Sequence, residues 1–281
     1  MRKLRTFLKD IYLAWSTENP PQLAAALAYY GMFAFAPVIF IALTVAGLFI
    51  DEPATASQLF VHLEGTLGPK TAQFAQDIVV NASRRASGGT ALTSLISFGV
   101  LSYAASGLFV QLRYALNTIW EVPPASHGGI TASIKDRLLA FVMAIGVGLL
   151  LVLATVVSIA VSVLASFFDW GSRVPITSFI SMMGLATVSF TLIYKILPDV
   201  EISWRDVWIG AAVTALLVSI GGWSVGFYLT HSNTGSAFEA AGALAVLLIA
   251  FYYIAQIFLF GAVFTKVYAS RFGSKIVPET E

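Results

Sequence analysis

Three histidines, His62, His127 and His231, are the residues of this sequence best suited to metal binding and to acid–base chemistry. Each stands alone, in a different polar stretch of the chain, with no second histidine close by. Hydrolysis at a metal centre needs several His, Asp or Glu side chains that converge on one or two ions. The spacing of these histidines therefore predicts no metal site.

Motifs for other kinds of catalysis are absent from the sequence as well. It has no phosphate-binding P-loop, no Gly-x-Ser-x-Gly nucleophile elbow and no dinucleotide-binding glycine pattern. The absence of cysteine excludes thiol nucleophiles, disulfides and zinc–thiolate sites. No basic stretch is interleaved with aromatic residues in the way that RNA-binding surfaces require. We therefore expect no enzymatic activity, no cofactor and no nucleic-acid partner.

Polar and helix-breaking residues inside long apolar runs are the remaining candidates, because they could line a path for a solute. Pro37 should kink its helix and leave a backbone carbonyl near Phe33 without its usual hydrogen bond. Gln256 places an amide in the middle of an apolar run, and an amide in lipid needs a partner. Three of these candidates project from one stripe of a single helix. We predict a substrate path that is lined by Tyr29, Tyr30, Pro37, Tyr252, Gln256 and Val263.

A second set of residues is predicted to hold helices together. Gly222 and Gly226 form a small-xxx-small pair, which lets two helices approach closely. Asn117 shares a helix face with Arg113, four residues earlier. Trp120 belongs either to the packing of helices or to the aromatic belt at the membrane surface. On this structural interpretation the glycines serve packing and the tyrosines mark the membrane interface.

The elements that must position these residues are long apolar segments without charges. Hydrophobic residues make up 58% of the chain and charged residues 11%, against about 25% charged in an ordinary soluble domain. A helix needs about 20 residues to cross about 30 Å of hydrocarbon. We predict an all-α fold, with one integral-membrane domain over residues 1–281 and six transmembrane helices at 23–50, 91–112, 138–168, 174–194, 207–230 and 240–265.

Two further elements are predicted outside the hydrocarbon. Residues 1–20 have the pattern of an amphipathic helix at the cytoplasmic lipid interface, with an apolar face made of Leu4, Phe7, Leu8, Ile11, Tyr12 and Trp15. A simple membrane anchor is the first interpretation of this helix, and a gate or a docking helix is the alternative. Residues 51–90 are predicted to form an extracytoplasmic loop with two short amphipathic helices.

Basic residues indicate the orientation of the bundle. With six spans, twelve of the 16 Lys and Arg residues lie on the side of the N-terminus. Cytoplasmic loops of membrane proteins carry such an excess of basic residues. Both termini are therefore predicted to be cytoplasmic.

This orientation predicts a pattern of chemical labelling. Single cysteines at Ser57, Gly89 and Ser232 should react with an impermeant maleimide added to intact cells. Cysteines at Ser126 and Thr280 should react only after lysis. Because the chain has no cysteine of its own, each signal reports one position. Labelling of Ser126→Cys in intact cells would contradict the six-span topology.

Four stretches of the sequence closely resemble the YihY/BrkB family of bacterial inner-membrane proteins. They run from Leu23 to Pro37, from Leu116 to Trp120, from Tyr194 to Asp199 and from Phe251 to Ala262. The resemblance implies six helices in a cell-envelope membrane and suggests efflux or envelope-resistance roles, although older naming linked the family to a ribonuclease. The last helix of the family usually has a glutamate where this chain has Val263. A mechanism that depends on that carboxylate is therefore not expected here.

Two classes of function fit the sequence. The first is a secondary transporter or facilitator that exports a small neutral or zwitterionic solute or moves a lipid, because no span carries an ionisable residue. The second is a structural or accessory membrane protein of the cell envelope. The expected partners are the lipid bilayer and a small solute or lipid substrate. Assembly into a homo-oligomer is left open.

Overall fold

The computed structural model describes residues 2–47, 91–122, 174–231, 239–273 and 277–278, together with isolated positions between residues 73 and 153. These ranges contain six helices and two short strands. In chain order they are α1 (Arg2–Thr17), α2 (Pro20–Gly47), α3 (Ala91–Ile119), α4 (Val174–Ile196), β1 (Val200–Glu201), α5 (Trp204–His231), α6 (Glu239–Phe272) and β2 (Val277–Pro278).

The all-α prediction is confirmed, and five of the six predicted spans coincide with helices α2 to α6. The predicted span 138–168 and the predicted loop 51–90 lie outside the described residues apart from a few isolated positions. Two stretches of the described part, Trp204–Gly222 and Leu244–Phe272, are long and apolar enough by length and composition to cross a membrane. They belong to α5 and α6.

Helix α5 carries a row of exposed apolar side chains along one side. Trp204, Trp208, Leu216 and Ile220 lie at multiples of four residues, and each is at least two-fifths exposed. A soluble protein rarely leaves so many large apolar groups in contact with water. The two tryptophans stand at the start of the helix, where aromatic residues mark the boundary between lipid and water. This row is the surface that a lipid-facing helix presents.

Helix α6 lies at the centre of the described bundle and contacts α1, α2, α3 and α5. In its second half the buried side chains, among them Leu259, Ala262, Val263 and Thr265, carry no charge and are small or branched, which lets the neighbouring helices approach closely. Buried side chains from each of the other described helices complete this core. The core residues with the least exposed surface include Leu116, Ile119, Tyr194, Val207, Leu259 and Val263.

Glycine and threonine alternate at the contact between α5 and α6. A Cβ built on Gly210 would overlap Thr265, and a Cβ built on Gly261 would overlap Thr214. Each threonine hydroxyl donates to the glycine carbonyl one turn earlier in its own helix, Thr214 to Gly210 at 2.8 Å and Thr265 to Gly261 at 2.7 Å. Small residues of this kind let membrane helices pack closely. The pairing is reciprocal, so it fixes the register of the two helices.

The predicted glycine contact lies one residue away from its predicted place. A Cβ built on Gly221 would overlap the Ile257 side chain, whereas one built on Gly222 would meet no atom of the described residues within 4 Å. Gly226 lies within α5, and the contacts of that part of the helix lie outside the described side chains. Spacing alone does not tell which glycine faces a neighbour, because helix rotation is set by the whole packing surface.

The predicted amphipathic helix exists as α1, and half of its apolar face packs on protein. The Phe7 ring lies 5.6 Å from that of Phe264, and the Trp15 ring lies 5.7 Å from that of Phe260. Between them, Ile11 is buried. The first helix is therefore docked on α6 along one edge.

Two corners and a short sheet complete the same end of the bundle. Val200 pairs with Pro278 and Glu201 with Val277, so β1 and β2 are antiparallel. Asn19, between α1 and α2, and Glu121, after α3, adopt left-handed backbone conformations with φ of 48° and 56°. The first corner leads the chain from α1 into α2, and the second ends α3 beside Lys266 of α6.

Candidate functional site

Gln256 lies halfway along the 34 residues of α6, roughly 25 Å from either end of the helix. Its side chain is partly exposed. Within the part of the chain that the structure describes, no group forms a hydrogen bond with its amide. An amide of this kind in hydrocarbon costs free energy unless it finds a partner.

The predicted tyrosines lie on α6 and α2, at and beyond the turn of α6 that precedes Gln256. Tyr252 lies one turn from Gln256 on the same face of α6 and is partly exposed. On α2, Tyr29 is 55% exposed and Tyr30 is 41% exposed. Gly31 and Phe35 of α2 contact Phe251 of α6, which places this part of α2 at the depth of Tyr252.

The two tyrosines of α2 have different surroundings. The Tyr30 ring approaches Gly107 of α3, where a Cβ would lie 3.3 Å from it. The Tyr29 ring lies 4.9 Å from that of Phe33 along the outer side of α2. Tyr30 thus stands between two helices, and Tyr29 belongs to an exposed aromatic ridge. Pro37 is buried within α2, two turns beyond Tyr30.

Val263 does not line the same path. Its side chain has no exposed surface and belongs to the core with Trp120, Tyr194 and Leu259. Val263 shares a helical stripe with Tyr252 and with Gln256, but two turns further along α6 that stripe is covered by neighbouring helices. Along this stripe Tyr252 and Gln256 are therefore partly exposed, whereas Val263 is enclosed.

Two hydrogen-bonded aromatic side chains close the bundle below Gln256. The Tyr194 hydroxyl donates to the Phe258 carbonyl at 2.7 Å and lies 3.1 Å from Thr214 Oγ1. The Trp120 indole N–H donates to the Ala262 carbonyl at 3.2 Å. The two rings meet edge to face at 5.9 Å. Trp120 is thus a packing residue, and the belt interpretation of it is wrong because it is only 4% exposed.

Tyr194 was not among the predicted site residues. It occurs in the stretch from Tyr194 to Asp199 that carries the family resemblance. Its other signal is a tyrosine near the end of an apolar helix, which composition alone assigns equally well to the membrane interface. Its fully buried hydroxyl distinguishes the two roles.

A ring of polar contacts lies beyond this core. Arg113 forms a two-bonded ion pair with Asp199, with Nε to Oδ2 at 3.0 Å and Nη2 to Oδ1 at 2.5 Å. Asn117 donates from Nδ2 to Asp199 Oδ2 at 2.8 Å and accepts from the Asp199 backbone N–H at 3.0 Å. Arg113 and Asn117, which are predicted to share one helix face, thus both bind Asp199 and connect α3 to the turn after α4. Paired, planar contacts of this kind are among the strongest polar interactions.

A second group of charges joins three elements at Lys266. Its Nζ lies 2.8 Å from the Glu121 carboxylate and 3.8 Å from that of Glu18. The hydrogen bond and the charge of Lys266 hold the pKa of Glu121 below its usual value. The stabilisation from this pair is therefore present at neutral pH and is lost as the pH falls through the lowered pKa. Arg271 pairs with Asp10 in the same region.

Comparison with known proteins gives one matching family model, described as virulence factor BrkB, which covers residues 11–281. A UPF0761 membrane protein of Idiomarina loihiensis is 29% identical over 92% of this chain and 89% of its own length. A second, of Mannheimia succiniciproducens, is 26% identical over 95% of this chain and 91% of its own length. A third, of Saccharophagus degradans, is 25% identical over 95% of this chain, which spans only 60% of that relative. No solved structure matches the chain.

Proposed function

We infer the function of this chain from the premise that it belongs to the virulence factor BrkB family and is a membrane protein. We propose that it crosses the bacterial cytoplasmic membrane six times, with both termini in the cytoplasm. In this membrane it acts as a secondary transporter or facilitator. Its substrate is a small neutral or zwitterionic solute, which it exports, or a lipid.

The observation that carries this proposal is the Gln256 amide. Substrate sites of secondary transporters lie near the middle of the bilayer. Gln256 is at the midpoint of α6, is partly exposed and has no hydrogen-bond partner among the described residues. An amide offers both a donor and an acceptor to a polar ligand. Tyr252, one turn away on the same helix face, supplies aromatic surface beside it.

The charges of the spans support the choice of substrate class. The sequence of α4 from Val174 to Tyr194, of α5 from Val207 to Thr230 and of α6 from Ala240 to Thr265 has no Asp, Glu, Lys, Arg or His. A small ion with a net charge would have to exchange its hydration shell for the dipoles of uncharged protein groups, and this exchange costs much free energy. A neutral or zwitterionic molecule loses much less hydration. The amide and the aromatic rings suit such a molecule.

The core below Gln256 is consistent with one closed end of a transport cycle. Tyr194 and Trp120 fill the space between α3, α4 and α6. The ion pairs of Arg113 and Lys266 lie beyond them. Passage of a substrate toward this end would require these contacts to separate. We propose that they form the cytoplasmic gate.

A structural or accessory role is the second candidate, and the outer side of α2 favours it. Tyr29 and Phe33 are both more than half exposed, and their rings contact each other in a tilted arrangement with centroids 4.9 Å apart. A rigid aromatic ridge is a suitable packing surface for a helix of another membrane protein or of a second copy. In this role Gln256 would bind a side chain of the partner rather than a substrate.

Replacement of Gln256 by leucine tests the first candidate. In proteoliposomes, we expect the wild-type chain to speed the movement of a zwitterionic probe, either a radiolabelled neutral amino acid or NBD-labelled phosphatidylethanolamine. Gln256→Leu keeps the size of the side chain and removes its amide. A hydrogen bond inside a bilayer contributes about 1–2 kcal/mol, so the rate should fall about tenfold.

Ser224→Ala is the matched control, because the exposed Ser224 hydroxyl bonds only to Ile220 of its own helix among the described residues. It should leave the rate unchanged. If no probe moves faster than in empty vesicles, transport is contradicted. An effect of Gln256→Leu on co-purifying proteins without an effect on any probe would favour the accessory role.

A further inference from the structure

The docking of α1 on α6 divides the apolar face of α1 into two edges. Phe7, Ile11 and Trp15 pack on protein. The neighbouring edge does not, since Leu8 is 57% exposed and Tyr12 is 69% exposed. Leu8 and Tyr12 lie four residues apart and form a continuous line along the helix. Because α1 is fixed on α6, the direction in which this line faces is also fixed.

A line of positive charge runs beside these two residues. Arg5 and Lys9 are exposed and also lie four residues apart, on the side of Leu8 and Tyr12 that turns away from α6. Neither forms a salt bridge with any residue that the structure describes. Asp10, the single acidic residue of α1, forms an ion pair with Arg271. The exposed edge of α1 therefore has a net charge of +2.

We propose that this edge, formed by Arg5, Leu8, Lys9 and Tyr12, is a binding site for anionic phospholipid. The two apolar side chains enter the boundary region of the leaflet, and the two cations contact phosphate groups at its surface. Interfacial helices combine an apolar line with a basic line in this way. The site binds lipids with a net negative headgroup in preference to zwitterionic ones.

The place of the edge in the fold favours lipid over a soluble partner. Helix α1 packs against residues 260–272 at the end of α6 and leads through Asn19 directly into α2. Both neighbours are predicted spans, so the edge lies at the level where they leave the membrane. Tyrosine is enriched at that level because its ring is apolar and its hydroxyl is polar. Charge complementarity with an anionic leaflet supplies the remaining attraction.

A binding titration with the full chain in detergent tests the site. The probe is NBD-labelled phosphatidylglycerol, and its fluorescence anisotropy is compared with that of NBD-labelled phosphatidylcholine. Each cation near an anionic surface contributes roughly a fivefold gain in affinity. Arg5→Gln or Lys9→Gln should therefore weaken binding of phosphatidylglycerol about fivefold and leave phosphatidylcholine unchanged. Arg5→Lys and Lys9→Arg, which keep the charge, should bind as the wild type does.

Two further measurements separate this site from general attraction to the protein. Arg205→Gln removes an exposed cation from the start of α5 and should leave the affinity unchanged. A nitroxide on Tyr12→Cys, in nanodiscs that contain phosphatidylglycerol, should be more accessible to oxygen than to an aqueous nickel complex. The same label on Thr17→Cys, which is exposed on another side of α1, should show the reverse. Equal losses for Arg5→Gln and Arg205→Gln, or a water-exposed label at position 12, would overturn the proposal.

Discussion

A glutamate in place of Val263 is expected to prevent the protein from accumulating in the membrane. Val263 has no exposed surface, so a glutamate carboxylate at this position would lose its hydrating water and gain no hydrogen-bond donor in exchange. The donors of this core are already engaged, because Trp120 and Tyr194 bond to backbone carbonyls. A buried charge without a partner costs about 3–5 kcal/mol. That is a large part of the stability of an ordinary domain.

Two substitutions at the same position separate the effect of charge from that of size. Val263→Leu adds one methylene and should cost about 1–3 kcal/mol through overpacking. Val263→Gln matches glutamate in size and should fall between the two. Accumulation is measured from a fluorescent fusion and thermal stability from the purified protein. If Val263→Glu accumulated as well as Val263→Leu, water would have to reach this position, and the closed core would be wrong.

An alanine in place of Gly210 is expected to lower the thermal stability of the purified protein markedly. The added methyl would overlap the Oγ1 and Cβ atoms of Thr265. Thr265 cannot turn away without losing its hydrogen bond to the Gly261 carbonyl. Overpacking of this kind costs about 1–3 kcal/mol, and more when the neighbour is stiff. The loss should appear although alanine is intrinsically the better helix former by about 1 kcal/mol.

A compensating change in the facing helix should restore this loss. Gly210→Ala combined with Thr265→Gly exchanges the small and large residues of the pair and removes the overlap. Gly222→Ala is the matched control, because its methyl would meet no atom of the described residues within 4 Å and should be neutral or slightly stabilising. Failure of the double variant to regain stability, beside an intact Gly222→Ala, would show that the helices do not meet at Gly210.

The elements of this protein could be predicted from sequence better than its site. Long runs without charge predict helices of membrane-crossing length, and five of these runs coincide with α2 to α6. The spacing of Phe7, Ile11 and Trp15 likewise defines α1 as an amphipathic helix. Which half of its apolar face touches protein could not be predicted, because that depends on where α6 lies.

The candidate site shows the same limit. Gln256 could be found from the sequence because an amide inside an apolar run is conspicuous without any knowledge of its neighbours. Helical spacing places Val263 on the same stripe as Gln256 and therefore predicts it for the same path. Residue spacing shows on which side of a helix a residue lies. It does not show whether neighbouring helices cover that side at a given position along the helix. Only the packing of α3, α4 and α5 around the second half of α6 shows that this part is closed.

The left-handed backbone conformation of Asn19 places strain in the corner between α1 and α2. A residue before proline normally has an extended backbone, and Asn19, which precedes Pro20, is held at a φ of 48°. Such a conformation costs about 1 kcal/mol or more, even for asparagine. The contacts of α1 with α6 must offset this strain in the backbone of Asn19. Separation of α1 from α6 would release this strain energy. Helix α1 therefore separates from α6 more easily than their contacts alone suggest.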